Sequence, residues 1–168
     1  DATCFTTVPL PSTLGESICG GFYMGTIGID DGSCYYLIMA PCASGDAFGC
    51  EWRVSEACDN VGLERCDGYR NTYCCLLGST YQAANWTATR SIGGFSDWYL
   101  PAICELNLLY VNRPCVDPAD QTSGGIIYWS STEFSCTSAC FQNMGNGNLG
   151  EGKKCFDQRT RAVRRVPF

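Results

Sequence analysis

Apolar positions along this chain fall in short runs, not long helical stripes. "GFYMGTIGI" (21–29) and "CYYLIMAP" (34–41) hold the β-branched and aromatic residues of strands, and the intervening "DDGS" predicts a hairpin. Asp30-Asp31-Gly32 reads as that turn and not as a calcium loop. "GCEWRV" (49–54) predicts a further short strand, and residues 55–69, polar and glycine-punctuated, predict a structured loop. Asn71 and Thr72 are capping residues, and Cys74, Leu77, Tyr81 and Ala84 share one helical face, which predicts a helix to about Ala84 that Gly78-Ser79 weakens. Pro101 suits the first turn of a second helix, where Ile103, Leu106 and Tyr110 make a buried stripe and Asn112-Arg113-Pro114 a stop. "GGIIYWSSTEF" (124–134) predicts a strand, "FQNMGNGNLGEGKKC" (141–155) a hairpin turning at Gly145–Asn148, and "TRAVRRVPF" (160–168) one last strand. Residues 1–20 show no periodic apolar face and read as an extended arm, tied by Cys4 and Cys19, ahead of a single domain at 21–168.

Composition narrows the class. The 168 residues suit one domain with a real core. An even fourteen cysteines (4, 19, 34, 42, 50, 58, 66, 74, 75, 104, 115, 136, 140 and 155) suggest a disulfide framework in which Cys4, Cys19, Cys34, Cys42, Cys50, Cys58, Cys66, Cys74, Cys75, Cys104, Cys115, Cys136, Cys140 and Cys155 all pair. Adjacent Cys74 and Cys75 are expected to bond different segments. No Cys-x-x-Cys and no histidine occurs, so a metal centre is not expected, and no cofactor motif is evident. The spacing of eight from Cys34 to Cys74 is not a repeat, because the residues between do not resemble each other. Oxidised cysteines, the lack of a membrane-spanning run and the start at "DATCF" together predict an extracellular, secreted chain whose signal peptide has been removed.

Charge is uneven. The net value of −6 argues against nucleic-acid binding. Residues 1–67 hold ten acids and two bases, whereas Lys153, Lys154, Arg159, Arg161, Arg164 and Arg165 crowd the end of the chain. Two readings follow: a terminal strand with charge-protected edges, or a basic patch for a sulfated glycan or the acidic half of a neighbouring copy.

Without histidine a Ser-His or Cys-His nucleophile is excluded, and no Gly-x-Ser-x-Gly elbow appears, so no enzyme is expected. Asn85-Trp86-Thr87 is a glycosylation sequon at Asn85.

Four ordered motifs carry a resemblance: Gly94–Leu106 ("GFSDWYLPAICEL"), Tyr128–Glu133 ("YWSSTE"), Phe141–Gly147 ("FQNMGNG") and Ala162–Val166 ("AVRRV"). With "YYLIMAP" and "RNTYCC" upstream, the chain resembles the domain family typified by the C-terminal domain of the Legionella collagen-like adhesin. That resemblance implies an α+β, C-type-lectin-like fold: two helices, an antiparallel sheet and long loops. Ala102 and Cys104 stand where members carry a capping hydroxyl and a polar residue, so a disulfide is expected to hold this helix start. Trp98 and Trp129 are expected inside as scaffold, Asp97 to accept backbone N–H groups at the turn, and Glu105 and Glu133 to pair with Arg164 or Arg165. The implied function is surface recognition or adhesion, with a glycan or cell-surface partner. Glu133, Phe134, Gln142, Asn143, Asn146 and Asn148 are the candidate contacts; ordinary turn chemistry is their other reading. A structural subunit of an extracellular filament, coat or fibre, assembling head-to-tail, is the second class.

Overall fold

A computed structural model describes residues 11–55, 58, 60–118 and 126–167. It is an α+β arrangement of two sheets. β1 (Ser17–Ile18), β2 (Gly21–Gly28), β3 (Cys34–Met39) and β9 (Val163–Pro167) form one, in the order β1-β2-β3-β9. β4 (Asp46–Glu51), β5 (Ile127–Glu133), β6 (Ser138–Asn143), β7 (Leu149–Lys153) and β8 (Asp157–Arg161) form the other, in the order β4-β8-β5-β6-β7. All pairings are antiparallel except β5 with β8. The helices are short: α1 (Cys42–Gly45), α2 (Gly68–Arg70), α3 (Gln82–Ala88) and α4 (Ile103–Asn112).

The predicted 21–41 hairpin is β2 and β3, with Asp31 Oδ1 accepting the Ser33 N–H at 2.8 Å in the turn. An apolar run without polar alternation marks a strand buried on both faces. β3 is such a strand: Leu37 and Met39 join Met24, Tyr99, Leu106 and Leu109, while Ile38 packs on the other side with Trp98, Ala162 and Val166. A third cluster, with Trp52, Leu76, Ala84, Leu100 and Trp129, lies against the five-stranded sheet. Trp98 and Trp129 are fully buried, and their indole N–H groups are satisfied by the carbonyls of Phe95 and Cys50, both at 3.1 Å. Where described, the first twenty residues end as β1 on the sheet edge; Cys4 lies outside the described residues, and Cys19 is disulfide-bonded.

Two predicted elements are divided. The helix expected from Asn71 to Ala84 is α2, a π-helical turn at Asn71–Cys75 and, after a break, α3. Gly78 makes the break, with φ +112°, a conformation open to glycine. The cap is Asp67, which accepts the Arg70 N–H, because Asn71 is turned inward to bond Glu64 and Ser131. The stripe fails with it, leaving Cys74 and Leu77 exposed. The last strand is two strands, β8 and β9, one in each sheet. Ala162 is the crossing point: its N–H reaches the Gly45 carbonyl at 2.8 Å and its carbonyl takes the Ala40 N–H at 3.0 Å.

α4 begins where Pro101 predicts. Its start is held as expected by the Cys66–Cys104 disulfide, with Cα atoms 4.9 Å apart. Gly68 presses so closely on this region that a Cβ there would stand 2.4 Å from Glu105 Oε2 and 2.5 Å from both Ala102 N and Leu100 O. Gly68→Ala is therefore expected to lose about 2–3 kcal/mol in urea denaturation through overpacking against backbone.

Candidate functional site

The six candidate residues divide between two ends of the five-stranded sheet. β6 separates the β5–β6 turn, with Glu133 and Phe134, from the β6–β7 turn, with Asn143, Asn146 and Asn148. At about 3.4 Å per residue, that strand holds the two turns roughly 20 Å apart. They do not form one site.

The β6–β7 turn spends its polar groups on itself. Asn143 Oδ1 accepts the N–H groups of Gly145 (2.8 Å) and Asn146 (3.3 Å), and Asn146 Oδ1 accepts that of Asn148 (2.9 Å). Gln142 is buried, donating from Nε2 to Asn107 Oδ1 at 2.9 Å and to the Gly147 carbonyl at 3.2 Å. The side chains of Asn143 and Asn146 are thus engaged within the turn, and that of Gln142 beneath it. Phe141 is half-buried against Trp129, their ring centres 6.4 Å apart.

The β5–β6 turn is built differently. Phe134 is 60% exposed, and its N–H and that of Ser135 both reach the Ser138 carbonyl, at 3.1 and 3.0 Å. Ser135 Oγ and Ser138 Oγ lie 2.6 Å apart, and Ser138 Oγ donates to Glu151 Oε2 at 2.9 Å. The turn is fastened by the Cys58–Cys136 disulfide, with Cα atoms 4.3 Å apart. Beneath it Lys154, buried, donates from Nζ to Glu133 Oε1 and, at 2.9 Å, to the Cys136 carbonyl, with its ammonium 4.7 Å from the Trp52 ring centre. Glu133 is therefore buried beneath the turn and committed to Lys154. The sequence does not single out Ser135 and Ser138, although the Ser/Thr density of "SSTEFSCTS" covers both, and Glu151 lies outside that stretch.

The crowded bases do not make a surface patch. Arg159 and Arg161 both bond Asp46, Arg164 takes Asp97 in a two-pronged contact of 2.8 Å each, and Arg165 bonds Asp67 at 2.8 Å. With Lys154 on Glu133, only Lys153 of the six stands exposed. Asp97 thus serves a guanidinium and not the turn's N–H groups, and Glu105 and Glu133 do not meet Arg164 or Arg165. Asp46 and Asp67, from the acidic first part of the chain, together with Asp97 tie the domain to its last strands.

The cysteine pairing is narrower than expected. Bonds occur at Cys58–Cys136, Cys66–Cys104 and Cys19, whereas Cys34, Cys50, Cys74, Cys75, Cys115 and Cys140 are unbonded. Cys50 on β4 and Cys140 on β6 have β8 and β5 between them, and Cys34, Cys74, Cys75 and Cys115 face outward. Burial raises the Cys50 and Cys140 thiols above their ordinary range, which keeps them protonated and unreactive. Among the described residues no group of His, Cys, Asp and Glu is placed to hold a metal. Asn85 lies half-buried within α3, with Thr87 buried and bonded to the Ala84 carbonyl.

Residues 41–164 match the family model of the Lcl C-terminal domain. The chain belongs to that family. Of the motifs carrying the resemblance, Gly94–Leu106, Tyr128–Glu133 and Phe141–Gly147 fall inside the matched span, and Ala162–Val166 runs across its end. No curated protein matches the chain. A fimbrial protein from Bacteroides ovatus has a similar fold, with TM-score 0.51 and 14% identity over 88% of this chain and 44% of that one. The present chain thus spans less than half the length of that protein. No helix among the described residues is long and apolar enough to cross a membrane, and the disulfides are compatible with an extracellular setting.

Proposed function

We propose that this chain is a non-enzymatic, extracellular recognition domain of C-type-lectin-like design that binds carbohydrate through the β5–β6 turn. The observation that carries the reading is Phe134: a 60% exposed ring on a turn locked by a disulfide and a buried ammonium. The exposed ring offers sugar C–H groups a stacking surface, which the self-bonded β6–β7 turn does not. Fixing the turn beforehand lowers the ordering cost of binding. Family membership supports an adhesive role.

The test is a glycan array of neutral, acidic and sulfated sugars with the whole chain, Phe134→Ala and Asn146→Ala. Phe134→Ala is expected to lose about tenfold or more in affinity, as truncation of a central aromatic contact does. Asn146→Ala, at the far turn, is expected to bind as the parent. Absence of binding to any sugar overturns the reading.

A subunit of an extracellular fibre is a second reading, supported by the fold shared with a fimbrial protein. Head-to-tail attraction of acidic and basic surfaces is not its basis, because those bases are spent internally. Ordered polymers of native material in electron micrographs are expected under this reading alone.

A further inference from the structure

β7 (Leu149–Lys153) is an edge of the five-stranded sheet, with β6 on one side and, among the described residues, no strand on the other. Two bonds fix which of its backbone groups face β6. The Asn143 N–H reaches the Asn148 carbonyl at 2.9 Å, and the Lys154 N–H reaches the Thr137 carbonyl at 3.0 Å. Bonded residues alternate along an antiparallel pair, so between these ends Gly150 and Gly152 are the ones bonded to Phe141 and Ala139. The N–H and C=O groups of Leu149, Glu151 and Lys153 therefore point away from the sheet, and all three residues are exposed. Among the described residues one of these outward backbone groups meets a partner: the Lys153 carbonyl accepts the Phe156 N–H at 3.0 Å.

The other sheet edges are broken or covered. β4 is irregular between Ala47 and Cys50, where Gly49 takes φ +79°, and its Glu51 N–H donates to Gln82 Oε1 at 3.3 Å. β9 is bridged to Tyr99 by two bonds at Val163, of 2.8 and 3.0 Å, and β1 is two residues long.

We propose that β7 is a docking edge for a second copy of this chain, the two β7 strands pairing antiparallel about a twofold axis at Gly152. The charges select this occupant and this register. Outward-facing groups bond only outward-facing groups, so a residue among Leu149, Glu151 and Lys153 has to meet one of the same set. With Gly152 on the axis, Glu151 stands opposite Lys153 of the second copy, and Lys153 opposite its Glu151. Two ion pairs and reciprocal N–H to C=O bonds result, and the glycines at the axis bring no Cβ together. Centring the pair on Glu151 would instead set that carboxylate against its own copy, which like charge opposes. Charged side chains on an edge strand ordinarily keep other strands away. A guard of one sign repels every copy, but here the signs alternate, so one antiparallel register turns the guard into a match. Ser138 Oγ already steadies Glu151 through Oε2 at 2.9 Å, on the face where the ammonium arrives.

This contact is isologous. It uses up the same edge in both copies, joins two five-stranded sheets into one, and ends at a dimer and not a filament. A single strand pair is a small interface held partly by exposed charge, so the association is weak and falls with salt. It rests on neither the sugar reading nor the fibre reading.

The test uses the whole chain, with its exposed thiols alkylated so that no bridge forms between copies. Sedimentation equilibrium at low salt should show a monomer–dimer equilibrium that added salt weakens. Hydrogen exchange should give the Glu151 and Lys153 amides protection that grows with concentration, whereas those of Gly150 and Gly152, bonded to β6, stay protected throughout. Glu151→Lys and Lys153→Glu each place like charges across the axis, and each alone should weaken association by about tenfold or more. Mixing these two variants restores opposite charges at both positions and should restore the dimer, as should the doubly exchanged chain. A parent that stays monomeric, single variants that associate like the parent, or a mixture that remains monomeric overturns the inference. So does full protection of the Glu151 and Lys153 amides in the monomer, which would mean that the chain covers its own edge.

Discussion

Replacing Lys154 with alanine is expected to lower stability by about 3–5 kcal/mol, a large share of what a domain of this size holds. The magnitude comes from what is left behind. The Lys154 and Glu133 side chains are 1% and 2% exposed, so removing the ammonium strands a carboxylate away from water. Glu133 Oε2 already lacks a partner, and the Cys136 carbonyl loses its donor in the same step. Lys154→Met separates charge from volume: it keeps the packing against Trp52 and should cost nearly as much, because the stranded charge dominates. Adding Glu133→Gln to it should recover most of the loss, since a neutral amide needs no cation. Urea denaturation of the parent, Lys154→Met, Glu133→Gln and the double variant gives the coupling energy directly. A Lys154→Met variant as stable as the parent sinks the account.

The same pair marks the limit of what the sequence discloses. The strands flanking Glu133 and Lys154 were legible, because "YWSSTE" and "NGNLGEGK" have strand residues beside turn residues, and turn chemistry is local. Which acid meets which base was not. Pairing depends on register across sheets, and the sequence supplies charge without register, so Glu105 and Glu133 were assigned to the arginines of β9 that serve Asp97 and Asp67. The crossing at Ala162 was invisible for a related reason. "TRAVRRV" alternates in a way that suits one strand, and only the Gly45 and Ala40 partners show that it changes sheets there. The π-helical turn was hidden because Asn71, a good cap by type, is drawn inward by Glu64 and Ser131. The division of the candidate contacts was within reach. A six-residue strand between two turns must put them at opposite ends, and of the six candidates Phe134 alone is an exposed ring.

Reduction of the Cys58–Cys136 and Cys66–Cys104 bridges is expected to act in two stages, with recognition lost before the fold. Cys58 and Cys136 are exposed, whereas Cys66 and Cys104 are half-buried, so a mild reductant reaches the first bridge sooner. Opening Cys58–Cys136 frees the turn that Phe134 occupies while leaving the helix start intact. Sugar binding should fall in that stage with Trp52, Trp98 and Trp129 still shielded, as read by tryptophan fluorescence. The second stage removes Cys66–Cys104, which closes 38 residues of sequence, after a bridge that closed 78. In the chain-entropy picture each is worth about 4 kcal/mol, so losing both removes an amount comparable to the total stability of an ordinary domain. Cys66→Ser with Cys104→Ser should therefore lower the urea midpoint steeply, and the chain should unfold when fully reduced. Cys58→Ser with Cys136→Ser should leave the fold standing near room temperature and weaken binding. If that second variant binds as the parent does, the bridge is not what fixes the turn, and rigidity at Phe134 has to come from Lys154 and the turn's own hydrogen bonds.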